Sequence, residues 1–278
     1  MKVVLFCGGL GMRLREFSEN TPKPMVPLGY RPMIWHIMRY YAHFGHKDFI
    51  LCLGYKADMV KQYFMTYNEC LSNDFVYSKG GRQVKLLNSD IDDWNITFVD
   101  TGLTSNIGQR LRAVQPFLEG EEMFLANYAN GLTDLDLNQM ISRFAATDAV
   151  GSFMAYQPQQ SFHVVSLADD DRVNYISPIA KSGLWINAGY FVLRPEVFSY
   201  MAAGEELVEE PFQRLIQEGR LRAHRHAGFW TAMDTFKDKQ TLDELCARGH
   251  APWELWRTST DPGQPLRLRA EALLRAVC

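Results

Sequence analysis

The chain of 278 residues lacks the features that mark membrane and secreted proteins. No apolar run approaches the ~18 to 20 residues of a membrane-spanning helix, so we expect no contact with a membrane. The first apolar run covers only residues 3–8 before more glycine and charge follow, which is too short for the core of a signal peptide. We therefore expect a cytoplasmic protein.

Paired cysteines and an excess of one charge are also lacking. The five cysteines, at positions 7, 52, 70, 246 and 278, form no CxxC pair of the kind that builds zinc or redox sites, so we expect reduced thiols. The 29 basic residues nearly balance the 32 acidic ones. This balance gives no field that would gather nucleic acid, and any site for a nucleotide must be locally basic.

What the sequence does contain is a regular alternation of strand and helix patterns in its first half. Short apolar runs at residues 3–7, 49–53, 96–100 and 123–126 predict strands. Apolar stripes at helical spacing over residues 34–44, 60–67 and 107–118 predict helices. The alternation predicts an α/β fold with a mostly parallel central sheet flanked by helices, with ligands at the carboxyl ends of the strands.

The pattern changes after residue 148. Short β-type runs at residues 151–155, 162–167, 173–177 and 186–193 either extend the sheet or form a small antiparallel β element over the ligand. Residues 208–218 and 235–248 predict helices, and the acidic run 205–210 predicts a solvated helix start. We expect one domain over residues 1–256 and a C-terminal helical extension over 257–278, which serves either an oligomer contact or a clasp.

The strongest local signal is the glycine-rich loop after the first strand, residues 8–15, with the sequence PKPM at 22–25. Glycines directly after a buried strand let backbone N–H groups approach phosphate oxygens, and Arg13 and Lys23 add charged donors. A dinucleotide fingerprint is excluded because Arg13 and Arg15 interrupt it and no acidic residue ends the second strand. A P-loop is excluded because it would end in Gly-Lys-Ser/Thr. The loop predicts a site for a nucleoside triphosphate.

At these residues the chain resembles the sugar-1-phosphate nucleotidylyltransferases, and most closely the glucose-1-phosphate cytidylyltransferases. The resemblance rests on nine motifs in order and extends to about residue 256. They lie at residues 8–16, 22–25, 31–38, 51–56, 99–102, 185–193, 228–230, 233–235 and 251–253.

The resemblance implies a single Rossmann-like nucleotidyltransferase domain, in which an acceptor phosphate attacks the α-phosphorus of a nucleoside triphosphate, CTP by preference, and pyrophosphate leaves. It implies Mg²⁺ as the cofactor, held by Asp234 and, weakly, Asn130, with Arg13 and Lys23 as the catalytic cations. The nucleotide-binding residues that it implies are Leu5, Cys7, Gly8, Gly9, Gly11, Met12, Arg13, Lys23, Gly108 and Arg110. The acceptor-binding residues that it implies are Tyr128, His163, Asn187 and Lys181. The resemblance also makes a homo-oligomer possible.

The chain departs from the family pattern at several positions. Asn130 stands where the family has an aspartate, and an amide offers Mg²⁺ no negative charge. Met12 replaces a loop threonine. Residues 178–180 read Pro-Ile-Ala where the family has Glu-Lys-Pro, so Lys181 falls two positions late, and His163 replaces a glycine. Asp234 itself has an alternative interpretation, as the cap of the helix that begins near Thr235.

Three functions therefore remain open at the level of sequence. The first and favoured one is a cytidylyltransferase-like enzyme with a phosphorylated acceptor other than glucose 1-phosphate. The second is an ordinary glucose-1-phosphate cytidylyltransferase that tolerates the substitutions. The third is a homologue that binds nucleotide and acts as a regulatory or structural subunit, which Asn130 favours.

Overall fold

A computed structural model describes residues 1–9, 21–159 and 161–257 of the chain. Gly11, Met12, Arg13 and the predicted extension from residue 258 onward lie outside the described residues. The helices in the described part are α1 (Met33–His43), α2 (Ala57–Met65), α3 (Ile107–Val114), α4 (Leu137–Ala145), α5 (Glu210–Gln217) and α6 (Phe236–Ala247). The strands are β1 (Lys2–Phe6), β2 (Pro27–Leu28), β3 (Arg31–Pro32), β4 (Asp48–Leu53), β5 (Phe75–Ser78), β6 (Gln83–Leu86), β7 (Asn95–Asp100), β8 (Phe124–Asn127), β9 (Gly131–Thr133), β10 (Gly151–Tyr156), β11 (His163–Leu167), β12 (Val173–Pro178), β13 (Ile186–Leu193), β14 (Leu221–His226) and β15 (Trp230–Ala232).

The centre of the fold is a seven-stranded sheet in the order β14-β10-β13-β8-β1-β4-β7. The strand β13 pairs antiparallel with both of its neighbours, β8 and β10, and the remaining strands run parallel to one another. This architecture confirms the predicted α/β fold with a mostly parallel central sheet in a single domain. The carboxyl ends of β1, β4, β7, β8, β10 and β14 consequently meet at one edge.

Alternate residues of the central strands enter two separate cores, one on each face of the sheet. Val3 and Leu5 of β1 pack on the first face with α1, whereas Val4 and Phe6 pack on the second face with α3. Every one of these four side chains is at most 5% exposed. Strands buried on both faces read as continuous apolar runs, which is why the sequence pattern found them.

The late β-type runs divide between the two alternatives that the sequence left open. The strands β10 and β13 join the central sheet, whereas β11 and β12 form a separate antiparallel hairpin. The hairpin of β5 and β6 was not predicted, because its side chains are largely exposed and show no buried stripe. Among the described helices, none is long and apolar enough to cross a membrane.

Candidate active site

A cavity of about 540 Å³ lies at the carboxyl edge of the central sheet. This volume is within the usual range for small-molecule sites. The cavity is bounded by the residues that follow β1 and β8 and by the start of α3. Its lining residues are Phe6, Cys7, Gly9, Lys23, Pro24, Ser105, Asn106, Ile107, Arg110, Tyr128, Ala129, Asn130 and Glu206.

Lys23 and Asn130 line this cavity, and both contact Asp234 although the three residues are far apart in the sequence. The Lys23 ammonium forms an ion pair with Asp234 Oδ1, and the Asn130 amide donates a hydrogen bond to the same oxygen over 3.2 Å. The side chains of Lys23 and Asp234 are 15% and 29% exposed, so they remain accessible to a ligand. The structure thus brings together the predicted catalytic lysine and both predicted metal-site residues.

The pairing of β9 with β15 places Asp234 beside Asn130. The two strands align Ala232 with Gly131, and the backbone N–H of Met233 donates to the carbonyl oxygen of Asn130 over 2.8 Å. Lys23 is the first residue of a short 3-10 helix whose Pro24 is buried. Backbone structure therefore fixes the positions of these three residues, in addition to the contacts between their side chains.

Asp234 is not the cap of the following helix. Thr235 is the cap of α6, because its side chain accepts from the backbone of Asp238 and the Asp238 carboxylate accepts in return. The backbone N–H of Asp234 also donates to that carboxylate over 3.1 Å. The Asp234 carboxylate faces Lys23 and Asn130 instead.

Arg110 forms hydrogen bonds with the segments at the ends of three parallel strands. Its guanidinium donates to the carbonyl oxygens of Gly8, Leu53 and Gly102 over 3.0, 3.2 and 2.9 Å, and to the Thr101 hydroxyl over 2.7 Å. The side chain is only 2% exposed. Arg110 lines the cavity, but most of its N–H groups already donate to backbone carbonyl oxygens. Its main role in this structure is therefore to stabilise these segments.

The position of the Arg110 guanidinium requires a glycine at residue 8. A Cβ atom at Gly8 would lie 2.0 Å from Nη1 of Arg110, which is a severe clash. The sequence interpretation attributed the glycine to close approach of phosphate. In the structure, the absence of a side chain at Gly8 leaves space for the buried Arg110 guanidinium, whereas Gly9 is exposed and lines the cavity.

Tyr128 and Asn187 lie together where β8 meets β13. The Asn187 amide donates to the Tyr128 hydroxyl over 3.2 Å, and its carbonyl oxygen accepts from the backbone N–H of Gly189 over 2.9 Å. Burial raises the pKa of Tyr128 to about 12, so its hydroxyl stays protonated and can donate to a ligand. These two predicted acceptor-binding residues therefore form one unit beside the cavity.

The other two predicted acceptor-binding residues lie on or beside the β11–β12 hairpin. His163 is exposed and pairs with Pro178 across the hairpin, and Lys181 is exposed in the 3-10 turn Ile179–Lys181 that follows. Neither residue lines the cavity. The structure therefore does not bring them to Tyr128 and Asn187, and their role stays a prediction.

The remaining predicted nucleotide-binding residues lie at different depths. Cys7 lines the cavity and is 1% exposed, and burial raises the pKa of its thiol, so it is not a thiolate nucleophile. Leu5 is fully buried in β1 between Leu51 and Asn127 and does not line the cavity. Gly108 is buried in α3 against the backbone of Glu205, since a Cβ there would meet that carbonyl oxygen at 2.2 Å.

Sequence reasoning missed Glu206 as a residue of the cavity. The acidic run 205–210 predicted a solvated helix start, yet α5 begins only at Glu210, and Glu206 turns into the cavity instead. Its carboxylate accepts hydrogen bonds from the backbone N–H groups of Ile107 and Leu207 over 3.1 and 3.0 Å. No sequence signal distinguishes this glutamate from its acidic neighbours.

The donor set around Asp234 resembles a magnesium site only in part. Within residues 1–9, 21–159 and 161–257, no three Asp, Glu, His or Cys side chains cluster in a way that could hold a metal ion. One carboxylate and one amide oxygen can nevertheless share a hard cation with substrate phosphates, which is a common arrangement for Mg²⁺. Asp234 and Asn130 therefore fit an ion whose remaining coordination positions a bound triphosphate would fill.

Comparison with known proteins identifies the family of the chain. The family model described as Nucleotidyl transferase matches residues 2–238. Glucose-1-phosphate cytidylyltransferase of Salmonella typhimurium is 37% identical over 257 residues, which cover 92% of this chain and 100% of that protein. D-glycero-α-D-manno-heptose 1-phosphate guanylyltransferase of Campylobacter jejuni is 24% identical over 213 residues, which cover 76% of this chain and 84% of that protein.

A solved structure supports the fold. The structure of a UDP-glucose pyrophosphorylase in complex with UDP-glucose superposes with a TM-score of 0.65 at 15% identity, and the match covers 89% of this chain and 98% of that one. These findings confirm the resemblance that the sequence motifs indicated. The chain therefore belongs to the nucleotidyl transferase family, with glucose-1-phosphate cytidylyltransferases among its relatives, and it is an enzyme of the nucleotidyltransferase type.

Proposed function

We propose that this enzyme transfers CMP from CTP to a sugar 1-phosphate and releases pyrophosphate. The observation that carries the proposal is that Lys23 and Asn130, which line the cavity together with Gly9, both contact the Asp234 carboxylate. CTP is favoured because the Salmonella typhimurium relative, whose name specifies cytidylyl transfer, matches over its whole length. Arg13, outside the described residues, is the second proposed catalytic cation.

The chemistry requires positioning and charge neutralisation more than covalent participation by the protein. Lys23 would bind the triphosphate and stabilise the charge that develops as pyrophosphate leaves. Mg²⁺ would be held by the carboxylate of Asp234 and the side-chain amide oxygen of Asn130 and would neutralise phosphate charge. Tyr128 and Asn187 would bind hydroxyl groups of the acceptor and orient its phosphate.

We further propose that the acceptor is not glucose 1-phosphate. Residues 178–180, at the end of β12 and in the following turn, offer only Pro, Ile and Ala side chains, which cannot bind hydroxyls or phosphate. The relatives named above act on different sugar 1-phosphates, so acceptor choice varies within related sequences. A sugar 1-phosphate that differs from glucose at one or more ring positions fits this region best.

The experiment measures pyrophosphate release by the full chain with each of CTP, UTP, GTP and ATP and a panel of sugar 1-phosphates, in the presence of Mg²⁺. We expect turnover with CTP and with an acceptor other than glucose 1-phosphate. Highest kcat/KM with glucose 1-phosphate would contradict the proposed acceptor. No pyrophosphate with any pair would contradict the proposed transfer.

One observation favours a second candidate function, in which the chain binds nucleotide without catalysing transfer. Both Lys23 and Asn130 donate to the same oxygen of Asp234, which leaves that oxygen less available to a metal ion. A protein of this kind would bind CTP with micromolar affinity in calorimetry and release no pyrophosphate across the panel. Turnover above the uncatalysed rate would exclude it.

A further inference from the structure

Glu206 is a carboxylate in a cavity that is proposed to receive a polyanion. It is half-buried, and it lines the same cavity as Lys23 and Gly9. Within the part of the chain that the structure describes, no lysine, arginine or histidine forms an ion pair with it. A carboxylate so placed would repel the phosphates of a nucleotide, so it must face another part of the ligand or disfavour binding.

The fold places Glu206 and Lys23 on opposite faces of the sheet. Val26, three residues after Lys23, belongs to the core of the first face, whereas Leu207, next to Glu206, belongs to the core of the second face. Both side chains reach the cavity at the carboxyl edge between these faces. A nucleotide that lies across the edge can therefore hold its phosphates near Lys23 and extend its nucleoside toward Glu206.

The Glu206 carboxylate is fixed in position and retains unused acceptor capacity. The N–H groups of Ile107 and Leu207 each bind one of its two oxygens, and Ile107 is the first residue of α3. A carboxylate has about four lone-pair sites, so roughly two remain for a ligand. Asn106 and Ser105 line the cavity next to it and add polar groups of the kind that fix ligand orientation.

We propose that Glu206 accepts a hydrogen bond from a donor group on the nucleoside of the bound triphosphate, either the exocyclic amine of the base or a ribose hydroxyl. This inference rests on the proposed function and names the residue that recognises the nucleoside. An amine contact favours cytosine over uracil, because uracil presents a carbonyl oxygen at the same position and that oxygen would meet the carboxylate. A hydroxyl contact makes binding depend on the ribose and not on the base.

The test measures binding of CTP, UTP and 2′,3′-dideoxy-CTP to the full chain by calorimetry with Mg²⁺. We expect the parent protein to prefer CTP by about tenfold to a hundredfold over UTP or over the dideoxy analogue, the range for one hydrogen bond to a charged group. Preference over UTP identifies the amine as the donor, and preference over the dideoxy analogue identifies the ribose. In Glu206→Gln this preference should fall below threefold, because an amide can both donate and accept.

Glu209→Gln is the matched control, since it removes the same charge from an exposed position three residues further on. It should keep the preference of the parent protein. Glu206→Asp, which keeps the charge but shortens the reach, provides a second variant if Glu206→Gln does not fold. Unchanged preference in the Glu206 variants, or a parent protein that binds all three nucleotides equally, would overturn this inference alone. A parent protein that binds none of them would overturn the proposed function together with it.

Discussion

The proposed donor side and the proposed acceptor side of the site differ in how firmly the fold holds them. The proposed donor side, comprising Cys7, Gly8, Lys23 and Arg110, is built from the end of β1, a short 3-10 helix and a buried guanidinium. The proposed acceptor side combines a half-buried pair, Tyr128 and Asn187, with the exposed β11–β12 hairpin.

This difference separates the part of the reaction that any such enzyme must share from the part that can vary. A triphosphate needs fixed backbone groups and fixed cations, and buried strand ends supply them. A hairpin that is hydrogen-bonded mainly to itself can change sequence at little cost to the core. The departures at residues 178–180, at His163 and at Lys181 all lie in that hairpin or the turn after it.

Removal of the Arg110 guanidinium should have the largest effect, because it leaves several buried carbonyl oxygens without donors. We expect Arg110→Met to lower the free energy of unfolding by about 3 kcal/mol or more in urea titrations. Arg112→Met, an exposed arginine on the same helix, should cost about 1 kcal/mol. An Arg110 variant with unchanged stability but weakened CTP binding would show that the guanidinium serves the nucleotide and not the loops.

Loss of the Lys23 ammonium should reduce catalysis while leaving the fold intact. Lys23→Met is expected to lower kcat by about 10²- to 10³-fold, as for other removed donors that stabilise developing charge. The measurement is initial-rate kinetics with CTP and the best acceptor from the panel. Lys47→Met, which breaks the surface pair with Asp93, controls for loss of an ion pair. A decrease of less than tenfold would place Lys23 away from the reacting phosphates.

A carboxylate at position 130 should strengthen metal binding. Asn130→Asp adds a second negative oxygen donor beside Asp234, and hard cations prefer carboxylates. We expect the Mg²⁺ concentration for half-maximal turnover to fall by about tenfold, measured at saturating CTP. Asn130→Ala should shift it in the opposite direction. If Mg²⁺ dependence is the same in all three proteins, residue 130 does not contact the metal.

Changes in the hairpin region should have the smallest effects. His163→Ala and Lys181→Ala remove exposed side chains, so stability should stay within about 0.5 kcal/mol of the parent. If these residues contact the acceptor, its KM should rise a few-fold while the KM for CTP stays unchanged. Equal increases for both substrates would contradict the separation between the two sides, and no change for either would remove both residues from the site.

The strands that the sequence predicted most clearly are those in which nearly every side chain is buried. Strands β1 and β4 are buried on both faces, and their apolar runs are unambiguous. The apolar run of β13 did not predict its antiparallel pairing with β8 and β10, because the apolar pattern of a buried strand does not depend on the direction of its neighbours. The hairpin of β5 and β6 was missed because exposed strands lack a buried stripe.

The site shows the same limit. Ordered motifs singled out Lys23 and Asp234, and the structure places the two in contact, while their roles stay predictions. The position of Glu206 depends on where α5 begins and on how the loop before it packs against α3, which no local pattern encodes. The bracing contacts of Arg110 join residues up to 102 positions apart, so only the folded chain reveals them.

The most direct test of the central claim is a single-turnover reaction with CTP labelled at the α-phosphate. With enzyme in excess over CTP, and with the sugar 1-phosphate and Mg²⁺ present, label should move into a nucleotidyl sugar as an equal amount of pyrophosphate forms. Lys23→Met should slow both products together by about 10²-fold or more. Label that stays in CTP, or that appears only as CMP without a sugar product, would contradict nucleotidyl transfer at this site.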